Sequence, residues 1–132
     1  MRISHLLLIL TCLLMAIPAF ATQSYRNYVH ASMQETASGD GGDFSTGTET
    51  TLSVTGYVTA LAAGSITFRV DTKGPDGEYY NLITGDAITA PGKFNFSIGP
   101  GLMTNKEIGE TCRLTWTISG GPATFSAAVI GK

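Results

Sequence analysis

From Thr111 to Val129 the chain reads TCRLTWTISGGPATFSAAV, and its apolar residues recur at every second position. Cys112, Leu114, Trp116 and Ile118 share one side of an extended strand, with Thr111, Arg113, Thr115 and Thr117 on the other. Successive side chains of a strand point to opposite faces, so a strict period of two marks a half-buried strand rather than a helix. After Gly120-Gly121-Pro122, a turn sequence, the pattern resumes at Phe125, Ala127 and Val129.

The same pattern recurs upstream. Leu52, Val54 and Val58 alternate with Ser53, Thr55 and Tyr57; Ile66, Phe68 and Val70 with Thr67, Arg69 and Asp71; and Phe94, Phe96 and Ile98 with Lys93, Asn95 and Ser97. Ala62-Ala63-Gly64, Lys73-Gly74-Pro75-Asp76-Gly77 and Ala90-Pro91-Gly92 supply turns between the runs, and a longer link opens at Gly99-Pro100-Gly101. With a strand at 79–83 and an early strand in Tyr28–Gln34, the expectation is seven or eight strands. One apolar and one polar face per strand predicts an all-β fold, an antiparallel two-sheet β-sandwich of jelly-roll or immunoglobulin-like type. Ser38–Gly47 (SGDGGDFSTG) reads as a flexible loop.

The first 21 residues, MRISHLLLILTCLLMAIPAFA, have a different character. Arg2 precedes an apolar run of about a dozen residues, short for a membrane span, and Ala19-Phe20-Ala21 sets small residues where a signal peptidase reads. The expected organisation is a signal peptide over 1–21, a flexible arm over 22–27 and a β-sandwich domain over 28–132. An uncleaved anchor is the alternative; a lipoprotein at Cys12 fits poorly, since Thr11 precedes it. The expected location is outside the cytoplasm: periplasmic, extracellular or particle-associated, with no membrane contact after cleavage.

The formal charge of the whole chain is −2, without a basic patch, so nucleic acid is not an expected partner. Cys112 is the one cysteine left after cleavage, and it stands among core positions, where a thiol behaves as a small hydrophobe. His30 is the one histidine left, too few for a zinc site. Asp40-Gly41-Gly42-Asp43 and Asp71–Glu78 are acidic glycine loops of a calcium-binding kind, but without EF-hand spacing, and turn chemistry accounts for them. Short turns leave little cleft for a glycosidase carboxylate pair. No enzyme and no cofactor are expected. Tyr57, Tyr79 and Tyr80 are the residues placed to make a ligand or assembly surface.

From about Tyr28 to Lys132 the chain resembles a β-sandwich family of small virion components found among the structural proteins of tailed bacteriophages. The resemblance is carried by YVHASMQETASGDGGDFSTGTETTLSVTGYVTA, by the Asp-Gly turn and aromatics of ITFRVDTKGPDGEYYNLI, and by the arginine strand, Gly-Pro turn and Phe strand of CRLTWTISGGPATFSAAV. Pro122 directly after Gly121 departs from the family pattern. So does the export signal, which a virion protein assembled in the host cytoplasm does not need. The resemblance implies a non-enzymatic structural or adhesive subunit of phage type, with protein partners and self-assembly. The alternative reading is a secreted carbohydrate- or small-ligand-binding module, with a glycan as partner.

Overall fold

Among the described residues, eight strands pair first with last and inward from there: β1 (Arg26–Glu35) with β8 (Ala123–Gly131), β2 (Gly39–Ser45) with β7 (Thr111–Ser119), β3 (Leu52–Leu61) with β6 (Gly92–Ile98), and β4 (Ser65–Lys73) with β5 (Tyr79–Thr84). All four pairs are antiparallel. Rolling this ladder adds two more pairings, β8 with β3 and β7 with β4. The result is two four-stranded sheets of order β1-β8-β3-β6 and β2-β7-β4-β5. That is a jelly roll, which decides between the two sandwich types that alternation left open. The computed structural model describes residues 26–100 and 107–132, with side chains from Glu35 onward. The expected signal peptide lies outside these residues. Among the described residues no helix is long and apolar enough to cross a membrane.

The alternating residues face the space between the sheets. Leu52, Val54, Val58, Phe125, Ala127 and Val129 of the first sheet meet Ile66, Phe68, Val70, Cys112, Leu114 and Trp116 of the second, all buried. Aromatic rings lock the two layers. Phe68 stacks on Phe94 across the core with centroids 4.4 Å apart. Phe125 meets Phe68 at 5.0 Å and Trp116 at 5.3 Å, edge to face. Each such pair adds about 0.5–1.5 kcal/mol beyond its area burial.

The Gly120–Pro122 turn does not close a hairpin. It carries the chain from β7 in the second sheet to β8 in the first. Ala62–Gly64 makes the opposite crossing, from β3 to β4, and the two arches touch backbone to backbone. Gly64 has φ 76°, and a Cβ there would sit 1.7 Å from the Ser119 carbonyl oxygen, so no side chain fits.

Two sequence expectations need correction. Residues 39–45 are not a flexible loop. They form edge strand β2, with Phe44 opposite Cys112 and Gly39 opposite Trp116. A bulge between Asp40 and Asp43 turns at Gly42 (φ 80°), whose N–H donates to Asp40 Oδ1 at 3.0 Å. With one large apolar residue, this strand shows no alternation; its partner β7 creates it. The strand β1 also begins at Arg26, so Arg26 and Asn27, expected in the arm, pair with Gly131 and Ile130.

Candidate functional site

The outer face of the second sheet carries a continuous charged cluster. Asp71 on β4 stands opposite Arg113 on β7, two residues from Arg69 on its own strand. Its position is an outward one, as alternation predicts, yet Asp71 is only 1% exposed. The covering groups are arginines. Arg69 pairs with the carboxylate: its Nη2 donates to Oδ2 at 2.9 Å, and its Nε lies 2.7 Å from Oδ1 as an ion pair, Oδ1 itself accepting no hydrogen bond among the described residues. Arg113 Nε lies 3.6 Å from Oδ2, beyond hydrogen-bond range, and is itself buried without a bonded acceptor. Two guanidiniums at a buried carboxylate offset a desolvation cost that one ion alone could not bear.

Arg113 extends the cluster. Its guanidinium lies 3.7 Å from the centre of the Tyr79 ring on β5 and its Nη1 lies 3.8 Å from Asp40 on β2. The Tyr79 hydroxyl donates to Asp43 Oδ1, and Lys73 Nζ lies 3.9 Å from Asp43 Oδ2. All four strands of the sheet are thus joined through side chains. The hydrogen bond to Asp43, followed by burial, pushes the Tyr79 hydroxyl above its ordinary value of 10.0. This arrangement holds protons and charges in place. Asp71 faces two arginines rather than an open solvent cleft, so its oxygens are not presented as calcium ligands, and Asp40 and Asp43 are engaged by Arg113, Lys73 and Tyr79. Among the described residues no group of three or more His, Cys, Asp or Glu could hold a metal ion.

Cys112 is fully buried, and burial is the main cause that pushes its thiol above the ordinary 9.0. Its Sγ contacts the Gly109 carbonyl oxygen at 3.7 Å. A group in this setting is protonated and shielded at neutral pH. Ellman's reagent is expected to leave Cys112 unlabelled in the native protein and to label it after unfolding in denaturant, as read by peptide mass spectrometry. Rapid labelling of the native form would contradict the buried placement. His30 occupies the β1 register position opposite Ala127, and its side chain falls outside the described part.

The three tyrosines singled out from sequence do not form one platform. Tyr57 is 43% exposed on the outer face of the first sheet, opposite Lys93 of β6 and Ser126 of β8. Tyr79 belongs to the cluster on the outer face of the second sheet. Tyr80, the next residue along β5, is exposed at the β4–β5 hairpin, where its hydroxyl donates to Asp76 Oδ2. Asp76 Oδ1 also accepts the Glu78 N–H at 3.1 Å. The Tyr80 bond first, and the Glu78 bond second, hold the Asp76 carboxyl below its ordinary 3.8, and the same Tyr80 bond raises the Tyr80 hydroxyl above 10.0. The contribution of Asp76 to the hairpin is therefore present above its ordinary pKa and lost as pH falls through the lowered one. That of Tyr80 is lost as pH rises through its raised value. Tyr80→Phe is expected to move the Asp76 titration upward, as read by carboxyl NMR shifts; an unmoved titration would show that the bond does not form.

A second feature, which sequence reasoning missed, lies at the open side of the sandwich. A pocket of about 330 Å³ is walled by Phe68, Ile88, Phe94 and Phe96, with Asp86, Lys93 and Asn95 beside them. Its far wall belongs to the segment after β5. There Gly85 N–H donates to the Phe68 carbonyl at 2.9 Å, and Ile88 exchanges backbone bonds with Ile66 at 2.9 and 3.0 Å. Isolated Gly85-Asp86-Ala87-Ile88 carries no strand signal, so only the docked β4 reveals the wall.

No family profile and no curated protein matches the chain. Solved structures do share its fold. A protein derived from the SPBc2 prophage, YomS, superposes with a TM-score of 0.50 at 14% identity, covering 81% of this chain and 93% of its own. A chain of the T13 IBDV viral particle gives 0.51 at 17% identity, over 82% of this chain; this chain spans only 30% of that protein. At these identities the likeness is one of fold.

Proposed function

We propose that this chain is a non-enzymatic structural or adhesive subunit of phage type, exported from the cell and acting through assembly or surface attachment. One observation carries the reading: the chemistry-bearing residues of the exposed second sheet are spent on one another. Arg69, Asp71, Arg113, Tyr79, Asp43, Lys73 and Asp40 tie four strands into a plate, while the lone mature thiol is sealed in the core. Such a surface offers shape and rigidity. The jelly-roll likeness to a prophage-derived protein and to a viral particle chain supports the reading at the level of fold. The test is mass spectrometry of particles purified from culture supernatant, set against the periplasmic and soluble secreted fractions. Co-purification with particles in fixed stoichiometry, starting at Thr22, is the expected result. Occurrence only as free exported protein would overturn it.

A ligand-binding module is the second reading, and the exposure of Tyr57 and Tyr80 favours it. Because these rings stand on different parts of the surface, a glycan site would involve one of them. Loss of glycan-array binding in Tyr57→Ala or in Tyr80→Ala, but not in both, is the result that would support it.

A further inference from the structure

Glycine follows an aspartate at two places in the chain, Asp40–Gly41 and Asp76–Gly77. Such a step can rearrange without an enzyme, because glycine has no Cβ to shield its amide nitrogen or to limit its backbone. The nitrogen bonds to the aspartate Cγ, and the carboxyl hydroxyl leaves with the amide proton as water. Water then opens the five-membered imide at one of its two carbonyls. Opening at Cγ restores aspartate. Opening at the main-chain carbonyl breaks that carbon's bond to nitrogen and leaves the chain running through Cγ, as isoaspartate of unchanged mass.

The two steps are held differently. Asp40 lies within β2, where it pairs with Thr115, and its carboxylate accepts the Gly42 N–H and faces Arg113. Asp76 lies in the exposed loop beyond Lys73 and Tyr79, the last pair of β4 and β5. Its restraint comes from that loop alone. Gly74 N–H donates to the Glu78 carbonyl at 2.8 Å, and Gly77 N–H to the Gly74 carbonyl at 3.0 Å. Asp76 Oδ1 accepts the Glu78 N–H, and Oδ2 accepts the Tyr80 hydroxyl. The Tyr80 ring lies against Gly74, where a Cβ would come 2.6 Å from the ring and 2.7 Å from Asp76 Oδ1. Both reacting groups are therefore occupied, the Gly77 amide by Gly74 and the carboxylate by Glu78 and Tyr80.

We propose that Asp76–Gly77 is this chain's site of spontaneous isoaspartate formation and that Tyr80 restrains the reaction through its hydroxyl bond to the Asp76 carboxylate. Two effects of that bond act in the same direction. It fixes a side chain that must turn for Cγ to meet the Gly77 nitrogen. It also holds the carboxyl below its ordinary 3.8, while the reaction consumes the protonated acid, since a carboxylate would have to expel oxide. The place matters for the second sheet. Lys73 and Tyr79, which close the loop, both reach Asp43 on β2. Isoaspartate puts one more main-chain atom between them, which breaks the register of the loop bonds and loosens the charged cluster at that end.

The experiment is incubation of the purified chain in mildly acidic buffer, below its unfolding temperature. Isoaspartate is followed at both steps by electron-transfer fragmentation of the digested protein. It is expected at Asp76 well ahead of Asp40. Tyr80→Phe keeps the ring and removes the hydroxyl, and is expected to raise the rate at Asp76 severalfold with Asp40 unchanged. Tyr79→Phe is the matched control, because it removes a tyrosine–aspartate bond from the same hairpin without touching Asp76. It is expected to leave the rate at Asp76 near that of the parent chain. Isoaspartate appearing first at Asp40 would overturn the choice of site. An unchanged rate in Tyr80→Phe, or an equal rise in both variants, would overturn the role of Tyr80.

Discussion

Trp116→Ala is expected to lower stability by about 3–5 kcal/mol, the usual cost of deleting a large buried aromatic. Trp116 sits in the middle of β7, only 4% exposed, between β2 and β4. Its ring meets Phe125 of the opposite sheet and lies under Gly39, where a Cβ would come within 3.0 Å of it. Its Nε1–H donates to the Ala37 carbonyl at 3.2 Å, which pins the entry to β2. The truncation therefore opens a cavity between the sheets and frees an edge strand that has little apolar content of its own. Urea denaturation followed by circular dichroism measures the loss, since the variant has no tryptophan for fluorescence. A change within about 0.5 kcal/mol would place Trp116 outside the core. Hydrogen exchange in the variant should rise first in Gly39–Ser45.

Asp71→Ala is expected to cost about 2–4 kcal/mol. Removing one partner from a buried ion pair usually costs about 3–5 kcal/mol, because the remaining charge is stranded. Here the penalty is moderated: the Arg69 side chain is 44% exposed and can turn to water, while that of Arg113 is 27% exposed and has its Nε buried. The sharper measurement is a double-mutant cycle of Asp71→Ala with Arg69→Ala. Contacting residues of a network couple by about 0.5–3 kcal/mol. Additive losses would mean that the ion pair between them contributes nothing, and the plate on the second sheet would then lose its central tie.

The core was legible from alternation. Leu52, Val54, Val58, Cys112, Leu114 and Trp116, all assigned inward, are buried, and Ile118, Phe94 and Phe96 are partly so, because a strand between water and an apolar layer must sort its side chains by face. The site was less legible. Arg69, Asp71 and Arg113 read as ordinary outward charges, since alternation reports the face of a residue and not what lies over it. Tyr57, Tyr79 and Tyr80 read as one surface, but spacing along the chain does not say which sheet a strand joins. The strand β2 was invisible because its glycines and aspartates match a loop composition.

The sequence by itself therefore determined the strands with a strong period, their inward residues and the positions of most turns. These are local properties, set by pleat geometry and by the backbone freedom of glycine and proline. Only the tertiary structure decided the partners. The turns at Ala62–Gly64 and Gly120–Pro122 look like hairpin turns but cross between sheets, and first pairs with last across almost the whole chain. That choice is made by the rings of Phe68, Phe94, Trp116 and Phe125 meeting in one core. The same choice gathers Asp40, Asp43, Asp71, Tyr79 and Arg113 from four strands onto one face, and sets β6 at the end of its sheet, beside a pocket, among the described residues.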